Sequence, residues 1–163
     1  MMFYVINMVE YAVALGSNLG DSCAILDKVI ILLSRYPNID LTSYSPFYKT
    51  FPIGPKQPIY YNGCVIVNSP INPKKLLEVL LNIEKRFGRV RDEKWGARTL
   101  DLDILLCEHL IIETPFLQIP HPQMTKRKFV LLPLCTIAST WKHPITRKTV
   151  KEHLQEISDK NIV

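Results

Sequence analysis

Between Thr99 and Leu106 the chain alternates, with Leu100, Leu102, Ile104 and Leu106 on one parity and Thr99, Asp101, Asp103 and Leu105 on the other. A period of two is that of a β-strand with one buried face, and a helix cannot satisfy it. Residues i and i+2 share a face about 6.6 to 6.8 Å apart at Cα, so Asp101 and Asp103 project side by side from a backbone anchored by leucines. One reading is a wet polar face. The other is a seat for a hard cation such as Mg²⁺, which takes carboxylates, waters and phosphate oxygens. Aspartate is depleted in strands, and like charges on neighbouring same-face positions repel; both facts favour the metal. The flank adds Arg89, Arg91, Lys94 and Arg98 on a segment with Gly96 and little periodicity. Guanidinium forks match phosphate oxygens, so cations beside paired carboxylates form the local chemistry of a nucleoside-triphosphate site. Asp92 and Glu93 lie among those cations, and a solvated, charge-balanced loop is the competing reading.

Length and composition set limits. A chain of 163 residues suits one domain that buries about two-thirds of its unfolded surface, and linkers, repeats and low-complexity tracts are absent. We therefore expect a single domain over 1–163 that acts as a monomer. The net charge of +5 is spread along the sequence and does not choose between nucleic acid and a small polyanion. Cys23, Cys64, Cys107 and Cys135 have no metal-ligand or redox spacing, which points to reduced thiols in the cytoplasm. No apolar run approaches the roughly 18 residues of a membrane span, and the N-terminus lacks the basic start of a secretion signal.

Taken in order, Tyr11–Leu15 reads as a buried strand that Gly16-Ser17-Asn18-Leu19-Gly20 turns into a helix capped by Asp21 or Ser22. That turn fits neither the P-loop nor the dinucleotide fingerprint, and its glycines serve geometry. Residues 41–50 read as extended, and Phe51–Pro58, with three prolines and a glycine, as a shaped loop. Tyr60 and Asn62 open the next strand beside that loop. They offer a ring and an amide to a flat heteroaromatic ligand, or else a core-rim tyrosine and a turn asparagine. The clearest helix has Asn72 as N-cap, Pro73 at its first position and Gly88 beyond its end, with Leu76, Leu80, Ile83 and Phe87 as the buried stripe. Glu84 near its C-terminus opposes the helix dipole, which leaves a ligand role and a salt bridge to neighbours such as Lys85 both open. Leu110–Ile112 reads as a short returning strand, His121 as presented on a proline-held loop, and Phe129–Leu134 as a segment helical up to Pro133. Thr149 and Glu152 form a capping box for a terminal helix.

Four runs in order, Leu15-Gly16-Ser17-Asn18-Leu19-Gly20-Asp21, Ser45-Pro46-Phe47-Tyr48-Lys49-Thr50, Arg98-Thr99-Leu100-Asp101-Leu102-Asp103-Ile104 and Ile119-Pro120-His121-Pro122, resemble the 6-hydroxymethyl-7,8-dihydropterin pyrophosphokinases of folate biosynthesis. The resemblance spans about Met8 to Ile137, which leaves two expectations for residues 1–7, an extension without function or a misassigned start codon. It implies a ferredoxin-like α/β sandwich with an antiparallel sheet and helices mainly on one face. It also implies transfer of the β,γ-diphosphate of ATP to the pterin's hydroxymethyl oxygen.

The same resemblance makes Asp101 and Asp103 the ligands of two Mg²⁺ ions and, with Arg89 and Arg98, the catalytic set. Nucleotide contacts fall on Glu84, Arg91, Lys94, Trp95, Arg98, Ile104, His121 and Arg127. Pterin contacts fall on Thr50, Ile53, Tyr60, Asn62, Trp95 and Phe129, with Tyr60 and Phe129 as the faces of the stack. Compared with the enterobacterial form, the basic loop is one residue shorter between Arg91 and Trp95, Lys94 stands for arginine, Leu81 for a nucleotide-contacting glutamine and Phe51 for a proline. Two other classes are weaker. A nucleotidyltransferase keeps its Gly-Ser turn and Asp-x-Asp pair close in sequence, whereas Ser17 and Asp101 are far apart. An RNA-binding module needs an aromatic run on a central strand, which is lacking. The expected partners are thus small molecules, with no nucleic acid and no membrane.

Overall fold

The computed structural model describes residues 7–52, 54, 56–88 and 99–157. Strand β1 (Val9–Ser17) leads through helix α1 (Ser22–Ser34) to β2 (Asp40–Tyr44), β3 (Tyr48–Thr50) and β4 (Tyr60–Ser69). Helix α2 (Pro73–Arg86) then precedes β5 (Asp101–Cys107). A small hairpin of β6 (Ile112–Glu113) and β7 (Gln118–Ile119) follows, and helices α3 (Lys128–Ala138) and α4 (Val150–Glu156) close the described chain. The main sheet runs β2-β4-β1-β5, with β3 also paired to β4, and its pairings are antiparallel. This is the expected ferredoxin-like arrangement, two β-α-β units interleaved in one sheet.

The caps follow from local chemistry. Asp21 accepts from Ala24 N at 3.2 Å and Asn72 from Lys75 N at 2.9 Å, each satisfying an orphan donor at a helix start. Gly88 ends α2 at φ +75°, where a side chain is disfavoured. Thr149 and Glu152 form the reciprocal box at the start of α4.

Alternation along β1 divides the interior into two apolar layers. Tyr11, Val13 and Leu15 meet Leu26, Val29 and Leu33 of α1 and Leu76, Val79, Leu80 and Ile83 of α2. Ala12 points the other way, where Cys64, Ile66, Leu105 and Leu106 meet Val130, Leu131 and Leu134 of α3 and Val150 of α4. Helices α1 and α2 thus cover one face, and α3 and α4 cover part of the second. Tyr11 is fully buried, and its hydroxyl donates to Ile71 O at 2.6 Å, so the ring enters the core without an unpaired polar atom. The cysteines are free thiols; burial raises the pKa of Cys64, and that of Cys107 to about 11, so neither is a ready nucleophile.

Several local expectations are corrected. The first strand continues through Gly16 and Ser17, because both keep their antiparallel partners on β4, Asn62 and Tyr61. The extended segment 41–50 is two strands interrupted at Ser45-Pro46, a break that the proline, lacking an N–H, favours. The parity of the Asp101 strand does not hold to its end. Ala12 pairs with Leu106 but Val13 with Ile104, so Leu105 is an extra residue, a β-bulge. Leu106 consequently joins Leu105 in the second layer, away from Leu102 and Ile104. Ile112 does not return to the sheet: it pairs with Ile119 in the separate hairpin. Helix α3 runs through Pro133 to Ala138, since the apolar burial of Leu131, Leu134 and Ala138 offsets the lost N–H.

Candidate functional site

The second face of the sheet is open where α3 begins. Gly16 of β1 lies between Asn62 of β4 and Asp101 of β5 in the pairing register, and Tyr48 of β3 follows Asn62. One step along, Ala14 lies between Cys64 and Asp103. Direct cross-strand partners share a face, so the two aspartates and Asn62 stand on one platform whose centre is glycine and alanine. A Cβ on Gly16 would sit 3.0 Å from Asn62 Oδ1 and 3.8 Å from Tyr60 Cδ1. The missing side chain keeps this floor flat.

Above the platform is a cleft of about 860 Å³, within the ordinary size of a small-molecule site. Loop residues Phe51 and Pro52 form one wall, Leu77, Leu81 and Glu84 of α2 another, and Lys126, Arg127 and Phe129 at the start of α3 a third. The cleft brings together Thr50, Tyr60, Asn62, Glu84, Asp101, Asp103, His121, Arg127 and Phe129 among the residues expected from the sequence. Ile104 differs. Its side chain is buried in the first apolar layer, and it borders a smaller cavity of about 180 Å³ beside the cleft. Ile53, Arg89, Arg91, Lys94, Trp95 and Arg98 lie outside the described residues.

Each polar group is held by a specific partner. Asn62 Nδ2 donates to Thr50 Oγ1 at 2.7 Å, and the two residues are 8% and 1% exposed; the bond fixes the amide in plane on the floor. Glu84 is 3% exposed, and its Oε1 accepts from Leu102 N at 2.9 Å. It therefore braces the strand between the two aspartates, a role that neither sequence reading of Glu84 contained. His121 Nδ1 accepts from Gln123 N at 3.1 Å, and its backbone N–H donates to Leu105 O at 2.9 Å. Burial, then the Arg127 charge, lower its pKa, against a smaller opposite pull from Asp101. The neutral ring so favoured carries its proton on Nε2, a donor turned from the backbone. Arg127 Cζ lies 5.7 Å from the centre of the Phe129 ring, a cation–π contact that holds both at the mouth.

Sequence reasoning missed three contributors. Asn18 is buried, and its Nδ2 donates to Gln57 Oε1 at 2.8 Å and Pro58 O at 2.9 Å, tying the proline loop to the exit of β1. Its place in the Gly16–Gly20 turn was the available signal. Gly16 looked like a turn glycine but is the floor. Phe116, between β6 and β7, lines the cleft while 89% exposed, and nothing in its flanking residues distinguishes it. Among the described residues no group of three or more His, Cys, Asp or Glu side chains is arranged for a metal. The Asp101/Asp103 pair is a donor set for a hard cation only when a ligand supplies further oxygens, which fits Mg²⁺ bound together with phosphate. Among those residues no helix is long and apolar enough to cross a membrane.

Comparison with known proteins converges on one description. Residues 12–139 match the profile of the 7,8-dihydro-6-hydroxymethylpterin-pyrophosphokinase family. A 2-amino-4-hydroxy-6-hydroxymethyldihydropteridine pyrophosphokinase of Synechocystis is 42% identical over 145 residues, 89% of this chain and 74% of that protein. The Haemophilus influenzae protein of the same name is 40% identical over 157 residues, 96% of this chain and 98% of its own length. In fold, the chain resembles the Plasmodium falciparum HPPK-DHPS crystal structure with pteroate, at a TM-score of 0.74 and 16% identity. The match covers 92% of this chain and 42% of that longer one.

Proposed function

We infer that the chain, which belongs to the 7,8-dihydro-6-hydroxymethylpterin-pyrophosphokinase family over residues 12–139, transfers the β,γ-diphosphate of ATP to the hydroxymethyl oxygen of 6-hydroxymethyl-7,8-dihydropterin. The products are AMP and the pterin diphosphate, a step of folate biosynthesis. The observation that carries this reading is a single cleft in which a flat floor with an anchored amide adjoins two same-face aspartates and a basic wall. One end suits a planar heterocycle and the other a triphosphate.

At the floor, Asn62 offers its Oδ1 to a donor on the pterin edge while Thr50 holds its Nδ2. Tyr60 and Phe129 are the two rings of the stack, and Ile53 completes this pocket by sequence position. Asp101 and Asp103 fit two Mg²⁺ ions, which when bound neutralise the triphosphate and acidify the hydroxymethyl group. Lys126 and Arg127 line the same cleft and balance phosphate charge. Arg89, Arg91, Lys94 and Arg98 are assigned to the same phosphates, and Trp95 to the closure of the pterin site. His121 donates from Nε2 to the nucleotide, and Glu84 fixes the strand that carries both carboxylates, in addition to a nucleotide contact. The chain's contribution to rate is then position and electrostatics at the β-phosphorus: it aligns the hydroxymethyl oxygen with the departing AMP and keeps water from that line. We further assign residues 1–163 to a single domain acting as a cytoplasmic monomer on small molecules.

The test is chromatographic. Purified protein with MgATP and 6-hydroxymethyl-7,8-dihydropterin is expected to release AMP only when the pterin is present. ADP as the nucleotide product, or no turnover by folded protein, would overturn the reading.

A further inference from the structure

Helix α4 has seven residues, and isolated helices shorter than about 12 residues are marginal in water. What it docks against must hold it. Val150 is buried in the second apolar layer with Leu131, Leu134 and Ala138 of α3, and Leu154 packs on the same layer. The other anchor is polar. His153 of α4 and His143, in the hairpin closed by the bridge between Lys142 and Thr149, are 6% and 7% exposed. Their rings meet edge to face with centroids 5.6 Å apart.

Both rings make contacts that depend on their charge. His143 Nδ1 accepts from Ile145 N at 3.3 Å and Thr146 N at 3.2 Å, which leaves its single proton on Nε2. A second proton would occupy Nδ1, and an imidazolium has no acceptor to offer those two N–H groups. Thr146 Oγ1 accepts from Lys148 N at 3.3 Å and lies 2.6 Å from His153 Nε2, so one hydroxyl joins the hairpin to the helix. Two positive rings at this separation also repel.

Few charges surround the pair. Glu156, Lys148 and Glu152 act on His153, and His153 acts on His143; Lys148 and Glu156 are paired with each other at 2.6 Å. Lys142, Arg147 and Lys151 are exposed. Helix α3, packed against α4, carries no titratable side chain beyond Lys128 except Cys135. Burial, then His153, lowers the pKa of His143; burial lowers that of His153 against an opposite pull from Glu156.

We propose that His143 and His153 form an acid-sensitive latch: neutral, they hold α4 and its hairpin on α3, and protonated, they release both while the sheet stays folded. The device lies apart from the cleft, to whose lining α4 contributes no residue. A released imidazole titrates near the ordinary value of about 6.5. Docking is therefore favoured above that pH, and the preference is lost as pH falls toward the lowered values of the docked rings. Between pH 7.5 and 5.5, release becomes easier by up to about tenfold for each histidine and up to about a hundredfold for the two.

The experiment follows amide hydrogen exchange by NMR on the full chain at pH 7.5 and 5.5, each rate divided by the intrinsic rate at that pH. Val150 N donates to Trp141 O at 2.9 Å and Lys151 N to Ser139 O at 3.1 Å, bonds that release would break. Both amides are expected to be less protected than those of the β1–β4 ladder around Val13 and Val65, and to lose at least about fivefold of their protection on acidification. His143→Asn and His153→Gln are each expected to show a smaller loss than the wild-type chain. Exchange of Val150 and Lys151 only at the rate of the ladder would overturn the latch, because α4 would then open only with the whole fold. So would a wild-type loss below fivefold, or a loss in either variant equal to that of wild type.

Discussion

Glu84 offers a sharp test of how the strand carrying the aspartates is held. In the sheet order β2-β4-β1-β5, strand β5 is an edge, and the N–H of Leu102 is satisfied by Glu84 Oε1 at 2.9 Å from helix α2. That donor lies between Asp101 and Asp103 in the chain, and Leu102 is itself 3% exposed. Glu84→Ala removes the acceptor and leaves a buried N–H unsatisfied, a loss of about 2 to 3 kcal/mol for a bond to a charged group. For a domain of this size each kcal/mol lowers Tm by about 2–4 °C, so thermal denaturation is expected to fall by about 4–12 °C. Glu84→Gln keeps a carbonyl acceptor of the same reach and is expected to recover most of that stability. Activity measured well below both melting points should fall in Glu84→Ala beyond any effect on ATP affinity, because both carboxylates ride on the released strand. A melting temperature of Glu84→Ala within 1 °C of wild type would refute the brace, and equal destabilisation by Glu84→Gln would show that charge and not the hydrogen bond matters.

Further outcomes follow from the same geometry. Asp101→Asn and Asp103→Asn are each expected to lower kcat by a factor on the order of 10² to 10³ or more with little change in a urea melt, since neither side chain belongs to an apolar layer; near-normal turnover would remove the metal assignment. Gly16→Ala places a methyl 3.0 Å from Asn62 Oδ1 and displaces the amide; disturbance of its 2.7 Å bond to Thr50, at about 1 kcal/mol, is expected to raise the pterin KM about fivefold with the ATP KM unmoved. Stability should fall in acid. His121, His143 and His153 all have pKa values lowered from 6.5, each first by burial, so the unfolded chain binds more protons, and stability present above pH about 6.5 is lost as pH falls through the folded values. His143 Nδ1 accepts from Ile145 N and Thr146 N, a geometry that the protonated ring cannot keep. A melting temperature flat between pH 7 and 5 would contradict this, and His143→Asn, which retains an acceptor, is expected to flatten the slope.

What the sequence disclosed depended on the range of the forces involved. Helix α2 was legible to its ends because Asn72, Pro73 and Gly88 act on their own backbone within a turn. The Asp101/Asp103 pair was legible because a strand's period fixes which side chains share a face. The same period failed beyond Ile104, where the bulge at Leu105 is set by pairing with Ala12 and Val13 on a strand far away in the chain. Pro133 was read as a helix end from its missing N–H, but tertiary burial decided otherwise. Asn18 and Gly16 serve the site through meetings across the fold, with Gln57 and Asn62 respectively, and their partners could not be named from the local pattern. Glu84 was singled out by its poor fit to the helix dipole; its partner, Leu102, needed the fold.

The most direct test of the central claim is a crystal structure of the chain with Mg²⁺, α,β-methylene-ATP and 6-hydroxymethylpterin. The expected result is cations held between the Asp101 and Asp103 carboxylates and the triphosphate, with the pterin on the Gly16 floor, its edge on Asn62 and its faces on Tyr60 and Phe129. A pterin seated elsewhere, or nucleotide bound without cation at the two aspartates, would contradict the account.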